Sequence, residues 1–262
     1  MTTVDPAPTL PDLLDLEQID RDLFRNRVVF EEPWALFGGQ VAAQALLAAG
    51  RTVEPDRAPH SLHGYYLRGG DAARPTIFQV FRDRDGGSFS ARRVVALQDG
   101  EVIFNMAASF AADSAGADVS EDPAPEAPDP DALSGGPVHR AFSFEGRTVA
   151  RQKGPGFPVR YWTRCVAPLP ADRLVHAAAL TYISDMYGAF PEVDEAESSP
   201  GPSLDHAVWF HRPIRADEWM LVDLVPRTAA GGRNWYIGTL HDRAGTLVAS
   251  IAQENLFRRP RG

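Results

Sequence analysis

The chain has 262 residues, 44% hydrophobic and 23% charged, an ordinary globular composition that can fill one large core or two small ones. Its net charge of −9 weighs against a nucleic-acid binder, because affinity for phosphate comes from concentrated positive charge. A single cysteine, Cys165, excludes an internal disulfide and a cysteine-rich metal site.

No run approaches the roughly 20 apolar residues that cross a bilayer, and Met1 to Leu14 carries acids and prolines where a signal would be basic and then apolar. A cytoplasmic protein that inserts into no membrane is expected, and the ending RRPRG carries no peroxisomal address. Nearly all positive charge is arginine, with Lys153 the only lysine.

Along the chain, a helix is expected from Gly38 to Val53 (GGQVAAQALLAAGRTV), then strands over 61–68, 76–84, 88–98 and 101–112. Residues 111–137 are rich in Pro, Asp, Ala and Gly and nearly free of large apolar side chains, the composition of an acidic linker that adds nothing to a packed core. A second helix is expected from Val175 to Phe190, then strands over 205–213, 219–227, 234–242 and 246–257. The order of elements is the same twice.

The turn residues keep the same register in both copies. Gly86-Gly87 and Gly231-Gly232 open a long strand, and Gly87 stands as far from Gly100 as Gly232 from Gly245. Equal spacing across two hairpins points to duplication of a unit of ordinary domain size: an N-terminal domain over 11–112, a linker over 113–140 and a C-terminal domain over 141–262. From Ala177 to Phe190 only Asp185 is charged, and a helix apolar nearly all round is covered nearly all round. The expected fold is α+β, a double hotdog in which each repeat wraps a long antiparallel sheet around a central helix.

FGGQVAAQAL, HSLHGYYLRGGD, GGSFSARRVVALQDGEVIFNMAASF, LTYISDM, LDHAVWFHRP and VASIAQENLFR together resemble the type II acyl-CoA thioesterases, the TesB-like double-hotdog enzymes. The resemblance covers nearly the whole chain outside the linker and the first ten or so residues. It implies hydrolysis of fatty acyl-CoA without cofactor or metal. It also implies a catalytic Asp on the second helix, a Thr or Ser before a DH motif and a Gln on the last strand, which fall here on Asp185, Ser203 and Gln253.

Asp185 is expected on an apolar face of its helix, where a carboxylate is costly unless bonded. It either braces the following loop or serves as a base whose pKa its surroundings tune. By alternation Gln253 points at the helix, while the offset between the turn glycines puts Ala108 at its place in the first half. The first helix likewise lacks an acid, so both polar exceptions fall in one copy; drift is the competing reading. Ser203 lacks the G-x-S-x-G elbow of a serine nucleophile and fits a water-holding hydroxyl or an ordinary turn serine.

Backbone N–H groups at Gly38, Gly39 and Gln40 are candidates for binding the oxyanion at a helix N-terminus, or the glycines merely shape the start of the helix. Arg68, Arg84, Arg92 and Arg93 are candidates for the phosphates of coenzyme A, with a solvated sheet face the alternative for each. Tyr65, Tyr66, Trp209, Phe210 and Trp235 are available to an acyl tunnel, though more belong to core than to lining. His206 and His211, five apart on a strand, point to opposite faces and cannot chelate one ion. The competing functions are an enoyl-CoA hydratase using Asp205 and His206, and a non-catalytic acyl-CoA binder; further homodimerisation is plausible.

Overall fold

The computed structural model describes residues 7–150, 159–186 and 199–258. The N-terminal half opens with α1 (Leu10–Leu14), capped by Thr9 and Asp12, and the hairpin β1 (Leu16–Asp20) and β2 (Leu23–Asn26). It continues with α2 (Gly38–Gly50), β3 (Arg57–Tyr66), β4 (Ile77–Asp85), β5 (Phe89–Gln98) and β6 (Glu101–Ala112). The C-terminal half contains β7 (Gly136–Pro137), β8 (Phe144–Ala150), β9 (Arg160–Cys165), α3 (Arg173–Ser184) and β10 (Ser199–Ser203). It ends with β11 (Asp205–Phe210), β12 (Met220–Ala230), β13 (Arg233–Asp242) and β14 (Leu247–Arg258).

The strands form one antiparallel sheet in the order β1-β2-β4-β5-β6-β3-β11-β14-β13-β12-β9-β8-β7, with β10 paired to β14. From the β3–β11 seam outward the two sides run β3-β6-β5-β4 and β11-β14-β13-β12, the same order twice, as a duplicated unit requires. The seam is in register from Asp205 opposite Tyr65 to Trp209 opposite Ser61, so the edge strand of one half is closed by that of the other.

Both helices are alanine-rich and buried along most of their length, and they pack on each other. Small side chains let them approach closely: a Cβ at Gly39 would collide with the Tyr182 carbonyl oxygen of α3. The start of α2 thereby meets the end of α3 beneath the seam.

The structure differs from the sequence expectations in several places. α2 stops at Gly50 rather than Val53, where the Thr52 hydroxyl donates to the Ala49 carbonyl (2.8 Å). α3 stops at Ser184, Asp185 leaves helical geometry with φ −81° and ψ 53°, and 187–190 of the expected helix lie outside the described residues. β1, β2, β8, β9 and β10 escaped the pattern reading; β10 is SPGPS, whose prolines suit an outer strand position and whose composition imitates a loop.

The linker also packs. Trp162 Nε1 donates to the Pro128 carbonyl (2.9 Å), Arg147 binds the Pro130 and Leu133 carbonyls (3.0 and 2.6 Å), and Ala127 and Leu133 join Trp162, Trp219 and Leu221 in a small second core. Its acids work as well, with Asp129 and Asp131 gripping Arg243 and Asp118 gripping Arg212. A few apolar residues suffice because the strap needs only to cover two tryptophans.

Candidate active site

Asp185 caps α3, is buried, and faces the last strand. Its Oδ1 accepts from Gln253 Nε2 (2.5 Å) and from the Ser203 hydroxyl (3.0 Å). Gln253 Nε2 uses its other hydrogen on Ser203 Oγ (2.6 Å), which also accepts from Asn255 Nδ2 (3.1 Å). Ser203 thus gives one hydrogen and receives two, the full capacity of a hydroxyl. The three residues brought together by resemblance meet in one cluster.

Strand alternation delivers two of these partners. Gln253 and Asn255 are both buried and lie two apart on β14, hence on one face. Across the ladder Gln253 pairs in register with Tyr236, whose hydroxyl lies 2.7 Å from Gln253 Oε1 and 2.7 Å from the Met186 carbonyl. With Oε1 at the phenol, the amide must turn Nε2 toward Asp185 and Ser203. The pattern reading singled out Trp235 and missed Tyr236 and Asn255; the signal for Asn255 was its two-residue spacing from Gln253.

Burial pushes the Asp185 carboxyl up to about 6, against the opposing pull of hydrogen bonds from Gln253, Ser203 and the Gly39 N–H and of the Arg140 charge. The carboxylate is therefore poised to exchange a proton near neutrality. The α2 N-terminus supplies the Gly39 contact, and Gly38 fits only as glycine, because a Cβ there would collide with Asp185 Oδ2.

Of the helix-start positions, Gln40 spends its N–H on the Phe37 carbonyl (3.0 Å), while the Gly39 N–H is near enough to Asp185 to pull its pKa down. The Gln40 N–H is therefore engaged within its own helix turn, which corrects its candidacy as an oxyanion donor, while the Gly38 and Gly39 N–H groups stay candidates.

The arginine candidates do not form one cluster. Arg92 is 1% exposed, and its five N–H groups reach Thr52 Oγ1 and O, the Arg84 and Ala91 carbonyls and Asp85. It ties β5 to the end of α2 and has no donor left for a phosphate, so the expectation for Arg92 is corrected. Arg93, the next residue, faces the other side, over the Phe81 ring and beside Asp83. Arg68 pairs with Glu101 (2.9 Å), and Arg84 is exposed at the end of β4.

Tyr65, Trp209 and Trp235 are exposed on the outer face of the sheet, a correction to their availability for a tunnel; Phe210 and Tyr66 turn inward. His206 is buried with Nε2 2.8 Å from Ser184 Oγ, and burial holds it down to about 4 and hence neutral. Its neighbour Asp205 accepts from the Glu254 N–H (2.8 Å) on the other face, so the pair does not converge as a hydratase would need. His211 stands apart from both, at Ser250 Oγ (2.8 Å).

The family model for the acyl-CoA thioesterase N-terminal domain matches residues 30–111, and that for the C-terminal domain matches 118–257. The chain belongs to the acyl-CoA thioesterase family.

Within that family it is 33% identical to human acyl-coenzyme A thioesterase 8, over 94% of this chain and 88% of the relative. It is 30% identical to acyl-CoA thioesterase 2 of Haemophilus influenzae, over 94% of this chain and 96% of that one. The solved acyl-CoA thioesterase II TesB2 of Mycobacterium marinum superposes with a TM-score of 0.81 at 41% identity, covering 96% of this chain and 98% of the other. The double-hotdog thioesterase architecture expected from the sequence is the observed one.

Proposed function

We propose that the protein hydrolyses fatty acyl-CoA to the free acid and coenzyme A through water activated at Asp185. The observation that carries this reading is the buried carboxylate whose Oδ1 is held by Gln253 and Ser203. A carboxylate so oriented can take one proton from water as the water oxygen bonds to the thioester carbon. The carbonyl π electrons move to oxygen; on their return the C–S bond breaks, and the sulfur leaves as a thiolate that takes the proton back from Asp185. Water and thioester thus become acid and thiol, with no cofactor or metal in the balance. A thiolate is a competent leaving group near neutrality, so the demand on the site falls on positioning water.

Ser203 and Gln253 act as positioning residues that hold Asp185 Oδ1, so that the carboxylate in turn orients the water. Arg68, Arg84 and Arg93 are exposed enough to meet the phosphates of coenzyme A, and Arg68 stands two residues from Tyr66 at the site. A cytoplasmic setting fits acyl-CoA as substrate, and no helix among the described residues is long and apolar enough to cross a membrane. The outer sheet face with Trp209, Trp235 and Tyr65 is the surface on which a homodimer would form.

The test is thiol release from saturated acyl-CoAs from acetyl to palmitoyl. Turnover with a maximum at one chain length is expected. Tight binding of acyl-CoA with no thiol released at any length would replace this reading with a non-catalytic binder.

A further inference from the structure

Tyr66 ends β3 and is supplied by the N-terminal half, across the seam from Ser203 and Asp185. Its N–H donates to the Leu204 carbonyl (2.9 Å), and its ring lies against Phe104 with centroids 4.9 Å apart. A Cβ at Gly38 would collide with Asp185 Oδ2 and lie 2.9 and 3.0 Å from Tyr66 Cε1 and Cζ. The hydroxyl end of the ring, the helix start and the second carboxylate oxygen therefore converge on one point.

The Tyr66 hydroxyl is buried and has no hydrogen-bond partner among the described residues. Burial and the charge of Asp185 raise its pKa well above the ordinary phenol value, so it remains a donor at any working pH. Among the neighbouring donors, Gln253 and Ser203 are committed to Asp185 Oδ1 and the Gln40 N–H to the Phe37 carbonyl. A buried donor without a partner is a cost that a substrate acceptor removes.

We propose that the Tyr66 hydroxyl donates to the thioester carbonyl oxygen and to the oxyanion formed on it, making Tyr66 a catalytic residue contributed by the N-terminal half. The assignment rests on the thioesterase reading of Asp185. As the water oxygen bonds to carbon and the π electrons move to oxygen, the hydrogen bond shortens onto the developing charge and Tyr66 keeps its proton. When the C–S bond breaks, the electrons return and the bond relaxes.

Tyr66→Phe preserves the ring and its contact with Phe104. It is expected to lower kcat about 100-fold with KM nearly unchanged, because the lost interaction is strongest in the transition state. The second readout is the infrared carbonyl stretch of acyl-CoA labelled with carbon-13 at the carbonyl, bound to the Asp185→Asn protein. It is expected at lower wavenumber than in free acyl-CoA, with that shift lost in the Asp185→Asn/Tyr66→Phe protein. Wild-type kcat in Tyr66→Phe, or a carbonyl stretch indifferent to Tyr66, would overturn this proposal while wild-type turnover kept the thioesterase reading intact. A wild type that binds acyl-CoA and releases no thiol would overturn both.

Discussion

Gln253 Nε2 lies 2.5 Å from Asp185 Oδ1, so an amide on the last strand fixes the carboxylate that ends α3. The same nitrogen reaches Ser203 Oγ at 2.6 Å, and the opposite end of the amide is pinned by Tyr236. The carboxylate is thus oriented from the sheet, and helix geometry only brings it there.

Gln253→Ala removes the donor that most strongly favours ionised Asp185. Its kcat should fall by about 100-fold, and the acid limb of its pH–rate profile should move to higher pH. Tyr236→Phe, which frees the amide to rotate, should give a smaller loss in the same direction. Steady-state rates across pH test both.

Activity should rise with pH through about 6 as Asp185 ionises. Stability carries the opposite sign, because a carboxyl raised from its usual 3.8 binds its proton more tightly folded than unfolded. Stability from this group is present below pH 3.8 and is lost as pH rises to 6, on the order of 3 kcal/mol. The Tm difference between Asp185→Asn and wild type should therefore move in the variant's favour from pH 4 to pH 7, measured by calorimetry.

Gly38→Ala places a methyl against Asp185 Oδ2 and the Tyr66 ring, so it should cost activity far more than stability. A displacement of about 1 Å at the carboxylate is enough for a 100-fold loss. Gly39→Ala meets the Tyr182 backbone instead and should lower stability by about 1–3 kcal/mol. Thermal melts and initial rates on the two variants separate these effects.

Arg92→Ala strips five hydrogen bonds from the β4–β5 hairpin and the end of α2. A loss of about 3 kcal/mol is expected, with the KM of the folded protein for acyl-CoA unchanged. A rise in KM without loss of stability would return Arg92 to the phosphate-binding role. Urea unfolding and initial rates decide it.

The duplicated fold was legible because turn glycines punctuate both copies; Gly100 (φ 80°) and Gly245 (φ 87°) occupy the left-handed region at equivalent turns. Gln253 was legible as a polar exception where the sister repeat has Ala108, and Asp185 as the lone acid of a helix whose sister has none. Tyr236 was not, because an aromatic on an inward strand position looks like core until its hydroxyl is seen bonded to Gln253. The consecutive arginines Arg92 and Arg93 held an unused signal: neighbours on a strand face opposite ways, so one of them had to turn inward. The linker's role was hidden because several of its contacts use backbone carbonyls, which composition does not reveal, and because only Ala127 and Leu133 of the linker join the small core.

The most direct test of the account compares Asp185→Asn with wild type in thiol release from acyl-CoA, alongside calorimetric binding of the same acyl-CoA. The account predicts a loss of kcat of at least about 1,000-fold with acyl-CoA binding retained, since Asn keeps the shape and removes the base. Turnover in Asp185→Asn close to wild type would contradict it and move the chemistry away from this carboxylate.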